Sequence, residues 1–384
     1  MIMKSKLPQV GTTIFTVMTE LARKHDAINL SQGFPDFDCP ERLRKLTEKH
    51  LNDCKNQYPP MAGIIELREQ IALKVQNLYN HVADPETEVT ITSGATEALF
   101  DAIHASVSRG DEVIVFDPAY DSYAPAIALS GATAVHLKLD APSFSIDWER
   151  VSRAITTRTK LIIINSPHNP CGTVLESTDL DSLAKIIRDR DIMVISDEVY
   201  EHMVFDGREH VSILSHSELS SKSFAIFSFG KTYHATGWKL AYCIASSGLT
   251  KEFRKIHQFV TFTSNSFLQY ALADFMTECP EHTSQLHAFY QKKRDYFCEL
   301  LSASKFRLSP SAGTYFQLVD YSDISEAQDT EFADWLTIEK GVAAIPLKPF
   351  YEPNNVPRNS HFIRFCFCKD DSTLREAAAR LCSL

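Results

Sequence analysis

Seven short apolar runs between residues 88 and 246 constrain the fold more than any other feature of the chain. They are EVTIT (88–92), DEVIVFD (111–117), ATAVHLKL (132–139), KLIIIN (160–165), IMVISD (192–197), SFAIFSF (223–229) and LAYCIAS (240–246). Several are continuously apolar, the pattern of strands buried on both faces. Most intervals between them read as helix. In TEALFDAIHASVSRG, Gly110 is a candidate C-terminal stop; in STDLDSLAKIIRDR, Ser177 or Thr178 is a candidate N-cap. Strands alternating with helices predict an α/β domain with a mostly parallel, seven-stranded sheet. The interval between SFAIFSF and LAYCIAS is too short for a crossover helix, so that pair is a candidate for antiparallel pairing.

Beyond residue 250 the pattern changes. Residues 250–300 read mainly as helix, with a long run from Cys279 to Leu301. FRLSPSAGTYFQLVDYS then reads as a turn between strands, and EFADWLTIEKGVAAIPL as a helix, a stop at Gly341 and a strand. HFIRFCFCK is strand-like and TLREAAARLCSL is a closing amphipathic helix. The expected division is a large domain over 41–285 and a smaller α+β domain over 286–384. Residues 1–40 have no βαβ pattern and are expected to pack on the smaller domain.

Composition excludes several function classes. A formal net charge of −10 disfavours nucleic acid or an anionic membrane as main partner. No apolar run reaches transmembrane length, and the N-terminal MIMKSKLPQVGTTIF lacks the apolar stretch of a signal peptide. Nine cysteines without a C-x-x-C pair suit reduced core thiols in a cytoplasmic protein. His168, His202, His210 and His234 have no metal-ligand spacing, so no metal site is expected. There is no G-x-G-x-x-G and no P-loop.

In parallel α/β sheets ligands bind beyond the carboxyl ends of the strands. After EVTIT comes Ser93-Gly94-Ala95-Thr96, opening a helix. After DEVIVFD comes Tyr120, and after KLIIIN comes Asn169. IMVISD ends on Asp197, with Tyr200 three residues on; SFAIFSF is followed by Gly230 and Lys231. A helix N-terminus opened by small residues accepts phosphate, a buried carboxylate wants a cation, an aromatic can stack on a planar ring, and a lysine can form an imine with a carbonyl. Pyridoxal 5′-phosphate (PLP) satisfies all of these.

SQGFPDF, NQYPPMAG, NSPHNPCG, ISDEVYEH, SFGKTYHATGWK and FIRFCF occur in this order along the chain. Taken together they resemble the PLP-dependent class I/II aminotransferases of the aspartate aminotransferase fold. The resemblance runs from about Pro8 to Leu384 and is nearest to the branch of kynurenine–glutamine transaminases and bacterial methionine aminotransferases.

The resemblance implies roles. Lys231 matches the Schiff-base lysine, which also shuttles the substrate α-proton. An unperturbed lysine, with pKa about 10.4, is free amine in only about one molecule in 2,500 at pH 7. The site must therefore depress that pKa. Asp197 matches the partner of the pyridine nitrogen, and Tyr200 and Asn169 the donors to the phenolic oxygen. Gly94, Ala95, Thr96, Ser228 and Lys239 match phosphate ligands; many relatives have arginine where Lys239 stands, so the bidentate fork is lost here. Tyr120 matches the residue that stacks on the ring. Tyr58 matches a tyrosine that crosses a dimer interface to the neighbouring phosphate, which implies a homodimer. Arg364 matches the grip on the substrate α-carboxylate, with a salt bridge to Asp370 or Asp371 as the structural alternative. Gly33 and Phe34 match the lining of the substrate side.

The implied reaction is ping-pong transamination between an amino acid and a 2-oxo acid. Dicarboxylate-specific relatives carry an extra arginine about 30 residues past the lysine, donated by the partner subunit. Here that region reads QFVTFTSNSF, with Phe259, Phe262 and Phe267 and no arginine. Neutral, apolar or aromatic donors are therefore expected: methionine, phenylalanine, tyrosine, glutamine or kynurenine. A β-lyase acting on cysteine S-conjugates or cystathionine-type substrates is the alternative on the same residues. A PLP-binding regulator would need a fused DNA-binding segment, and an inactive scaffold would have lost Lys231 or Asp197.

Overall fold

The computed structural model describes residues 4–357 and 360–384; residues 1–3 of the segment read for a signal peptide lie outside the described residues. Strand β1 (Ile28–Asn29) follows a helix over Ile14–Lys24. The seven apolar runs then form β2 (Val89–Thr92), β3 (Glu112–Asp117), β4 (Thr133–Lys138), β5 (Thr159–Asn165), β6 (Met193–Asp197), β7 (Ser223–Ser228) and β8 (Ala241–Ala245), each within one residue of its expected ends. They make a single seven-stranded sheet in the order β2–β8–β7–β6–β5–β3–β4.

The expected antiparallel neighbour is β8, which is antiparallel to both β7 and β2. The other pairs are parallel. Two antiparallel steps restore the direction, so β2 runs with the parallel set. The carboxyl ends of β2, β3, β5, β6 and β7 therefore share one edge of the sheet. The continuous apolar runs have the expected cause. Ile162, Ile164, Val194 and Phe227 bury one face, and Leu161, Ile163, Ile195 and Ile226 bury the other. Edge strand β4 is only half-buried, which is why ATAVHLKL is not continuously apolar.

Two helix ends differ from expectation. The helix after β5 covers Ser177–Ile187 with Glu176, not Ser177 or Thr178, at its N-cap. The Asp179 carboxylate accepts the Glu176 N–H at 2.8 Å and closes a capping box, which fixes the start there. The helix after β2 ends at Ser106 with Val107 as cap, and Gly110 instead occupies the turn leading into β3.

The C-terminal part adds β9 (Phe316–Asp320), β10 (Val342–Ala343), β11 (Ile345–Pro346) and β12 (Phe362–Cys366). Strands β11, β12 and β9 form an antiparallel sheet. Gly341 ends the helix Asp329–Lys340 in the left-handed conformation, as expected. The chain start packs here: β1 pairs in parallel with β10, and Met18 lies in a cluster with Ala333, Ile345 and Phe350. Tyr200 and Met203, just past β6, belong to the same apolar cluster as Phe297, Phe332, Ile363 and Phe365. That shared cluster joins the shared edge of the large sheet to the small one. No helix among the described residues is long and apolar enough to cross a membrane.

Candidate active site

A cavity of about 310 Å³ opens at the shared carboxyl edge of the sheet. Its walls include Gly33, Phe34, Gly94, Ala95, Thr96, Tyr120, Asn169, Asp197, Tyr200, Ser228, Lys231, Lys239 and Arg364. Of the residues matched to cofactor or substrate contacts, only Tyr58 lies elsewhere. It is 84 % exposed, packed edge-on against Phe262 at 5.6 Å.

Lys231 sits in the single helical turn Phe229–Thr232 directly after β7. Its backbone N–H donates to Ser228 Oγ at 3.3 Å, which caps that turn and aims the side chain inward. Nζ donates to the Tyr315 hydroxyl at 2.8 Å and to the Gly33 carbonyl at 3.2 Å. The Tyr315 hydroxyl donates onward to the same carbonyl at 2.6 Å. Burial lowers the Lys231 pKa to about 8, and Arg364 and Lys239 push the same way. At pH 7 that leaves about one molecule in ten as free amine, against about one in 2,500 for an ordinary lysine.

Asp197 ends β6 and is buried. Burial raises its pKa to about 6, although the Tyr123 hydroxyl donates to Oδ2 at 2.6 Å. Such a carboxylate is held ready for a cationic partner. Asn165, at the end of β5, accepts the Asn169 N–H at 2.8 Å and donates to the Asp197 carbonyl at 2.8 Å. That pair fixes the NSPHNP turn against the end of β6.

Arg364, on β12, is fully buried. Nη1 donates to Asn169 Oδ1 at 2.5 Å and Nη2 to the Ser31 carbonyl at 3.0 Å, while Nε has no partner. The guanidinium lies 3.8 Å from the Phe316 ring centroid. Among the described residues no carboxylate lies within 4 Å of it. The salt-bridge alternative is not formed: Asp371 pairs with Lys293 at 3.1 Å, and the Asp370 N–H donates to Asp36. A buried cation without an anion costs several kcal/mol, on the order of what a bound carboxylate would return. Gly33 is required beside it, since a Cβ there would sit 2.6 Å from Phe316 Cζ.

One end of the cavity is formed by the start of the helix Ala95–Ser106. Its N-cap is Gly94 at φ +86°. A Cβ on Gly94 would lie 3.1 Å from Lys239 Nζ, in the gap between the helix start and the ammonium. The helix start and Lys239 line the same cavity, and helix-start amides with an ammonium are the donor set a phosphate takes. An aldehyde-reactive amine, a carboxylate primed for a cation and this cradle all open into one cavity, so the residues present fit PLP. Thr96 Oγ1 and Tyr120 Oη are 3.5 Å apart at its rim.

Sequence reasoning missed Tyr315, Tyr123 and Asn165. Tyr123 had a signal, a second tyrosine three residues beyond Tyr120. Tyr315 had a weaker one, an aromatic at the turn into a strand in SAGTYF. Phe259 and Phe262 are exposed and lie outside this cavity. The four histidines are packed separately: His210 Nε2 meets Glu198 at 2.7 Å, and burial pushes His168 down to about 4 and His202 to about 3.

Comparison with known proteins agrees with this geometry. The family model for "Aminotransferase class I and II" matches residues 25–381. The chain is 50% identical over 381 residues to the methionine aminotransferase of Escherichia coli (strain K12), covering 99% of this chain and 98% of the relative. It is 32% identical to kynurenine–oxoglutarate transaminase 1 of Mus musculus, covering 95% and 93%. A solved structure of YbdL from Escherichia coli, described as having a methionine aminotransferase function, superposes with a TM-score of 0.97 over 100% of both chains at 50% identity.

Proposed function

This chain belongs to the class I and II aminotransferases, and we propose that it uses PLP to move the amino group of a neutral, apolar or aromatic L-amino acid to a 2-oxo acid. The observation that carries this reading is Arg364, a buried guanidinium without a carboxylate partner, opening into the same cavity as the depressed amine of Lys231. PLP, when bound, supplies an aldehyde and an electron-withdrawing ring. Gly94, Ala95, Thr96, Ser228 and Lys239 would hold its phosphate, Asp197 its ring nitrogen, Tyr120 its face, and Tyr200 and Asn169 its phenolic oxygen. Arg364 and Asn169 would grip the substrate α-carboxylate, with Gly33 and Phe34 lining that side. Lys231, as free amine, takes the α-proton at Nζ and returns it, and Phe15, Phe34 and Phe316 give the substrate an apolar lining.

The preference for neutral side chains rests on the charges of the wall. Its cations are Lys231, Lys239 and Arg364, all assigned above, so a side-chain carboxylate would be left unpaired. The relatives named for methionine and kynurenine point the same way. We further propose a cytoplasmic homodimer in which Tyr58 reaches the neighbouring phosphate, with the domain division at 1–40, 41–285 and 286–384. The exposed Tyr58, Phe259 and Phe262 support such an interface. Steady-state kinetics with varied methionine and 2-oxo acid should give the parallel double-reciprocal lines of a ping-pong scheme. Intersecting lines, or release of ammonia and pyruvate from a cysteine conjugate in place of amino transfer, would count against it.

A further inference from the structure

Behind the phosphate end of the cavity lies a buried histidine that the proposed chemistry does not use. His257, on the helix Ser247–Val260, is fully buried. Its Nδ1 is 2.7 Å from Glu97 Oε1 and 3.6 Å from Asp101 Oδ2, and its Nε2 is 3.0 Å from the Met61 carbonyl oxygen. A carbonyl oxygen only accepts, so Nε2 carries a proton. With Nδ1 facing two carboxylates, the ring is satisfied as an imidazolium donating from both nitrogens. Asp101 is also fully buried, and neither of its oxygens has a hydrogen-bond partner. Glu97, Asp101 and His257 have the proximity of a metal site. An imidazolium with both nitrogens engaged offers no lone pair to a cation, so the cluster reads as an ion network.

The network reaches the phosphate cradle through Glu97. Its second oxygen, Oε2, accepts the backbone N–H of Ser93, the residue before Gly94. Ser93 Oγ is 3.0 Å from Ser264 Oγ, and Thr263 Oγ1 donates to the Pro60 carbonyl at 3.1 Å. These hydrogen bonds together join the turn 93–96, the loop after Tyr58 and the segment after the helix Ser247–Val260, and His257 makes two of them.

We propose that His257 is the positioning residue of the phosphate-binding turn, holding Glu97 and thereby Ser93 so that Gly94, Ala95 and Thr96 present a preformed anion cup. The proposal rests on the reading of that turn as the cofactor's phosphate site. Burial opposes the imidazolium charge, but the hydrogen bond to Glu97 and the nearby Asp101 carboxylate outweigh it, and the His257 pKa is raised to about 9. The charged groups facing it are those two carboxylates. Cys243 on β8 lies beside Asp101, its thiol pushed up by burial. Arg254, one turn earlier, points away onto Thr90 Oγ1 and the carbonyls of Glu86 and Val89. Above its pKa, Nδ1 would turn a lone pair toward the Glu97 carboxylate and the cup would loosen.

The test uses two probes on the full-length protein freed of cofactor. Pyridoxine 5′-phosphate has no aldehyde to bond Lys231, and pyridoxine has no phosphate either. His257→Gln is expected to weaken pyridoxine 5′-phosphate at least about tenfold and leave pyridoxine within about twofold. In the unsubstituted protein, affinity for pyridoxine 5′-phosphate should fall as pH rises through about 9. Asp101→Asn, which removes one of the charges that hold the proton, should move that fall to lower pH. Equal weakening of both probes, no weakening, or superimposable pH profiles for the Asp101→Asn and unsubstituted proteins would overturn the proposal. Should His257→Gln fail to fold, the Asp101→Asn profile decides alone. An unsubstituted protein that binds neither probe would remove the cofactor reading itself, and this proposal with it.

Discussion

Arg364 Nη1 donates to Asn169 Oδ1 at 2.5 Å, joining β12 of the small sheet to the turn after β5 of the large one across 195 residues of sequence. A neutral amide orients the guanidinium without neutralising it. The charge stays available to a carboxylate, and bidentate geometry needs the planar fork. Arg364→Lys is expected to lower kcat/KM for methionine roughly 10²-fold, or about 3 kcal/mol. Initial rates over a substrate range check it, and a change below about threefold would remove Arg364 from substrate binding.

Tyr315 accepts a hydrogen bond from the Lys231 ammonium. Removing that acceptor destabilises the charged form, so Tyr315→Phe should lower the Lys231 pKa below its value of about 8. The rate at which the cofactor-free protein condenses with PLP rises as Lys231 loses its proton, so it should rise with pH through about 8. In Tyr315→Phe that rise should occur at lower pH. Stopped-flow rates from pH 6 to 10 test the shift, and a rise moved upward would contradict it.

Asp197 has a folded-state pKa of about 6, above the ordinary carboxylate value of 3.8. The folded state therefore binds more protons than the unfolded one between these values. The stability Asp197 contributes is fully present below 3.8 and is lost as pH rises through 6. At pH 7.5 a cationic ring nitrogen would relieve that cost. PLP should therefore raise Tm more in the unsubstituted protein than in Asp197→Asn. Differential scanning calorimetry with and without PLP measures both, and equal shifts would place the ring nitrogen elsewhere.

Gly94 combines φ +86° with a Cβ position 3.1 Å from Lys239 Nζ. Gly94→Ala adds backbone strain of about 1 kcal/mol and a methyl against Lys239 at the proposed phosphate site. PLP affinity should fall at least about tenfold, read by equilibrium dialysis, while the urea midpoint changes little. An unchanged affinity would mean that the phosphate does not use this helix start.

The large sheet was legible because burial on both faces leaves continuous apolar runs, and Lys231, Asp197 and Asn169 were legible because they stand at strand ends. Tyr315 was not, because its contact with Lys231 spans 84 residues and depends on how the small sheet docks. Tyr123 looked like one more loop aromatic until its hydroxyl met Asp197. His257 gave no spacing signal, since its partners lie on a helix 160 residues away. The cap at Glu176 was missed because Asp179, three residues inside the helix, decides it.

The most direct measurement is a single half-reaction. PLP-loaded protein is mixed with L-methionine or L-aspartate in the absence of any 2-oxo acid, and the absorbance of the bound cofactor is followed. The account predicts conversion to the amine form with methionine and release of one 2-oxo acid per site. Conversion should be much slower with aspartate and absent in Lys231→Ala. Conversion of Lys231→Ala at the unsubstituted rate, or a faster reaction with aspartate than with methionine, would contradict it.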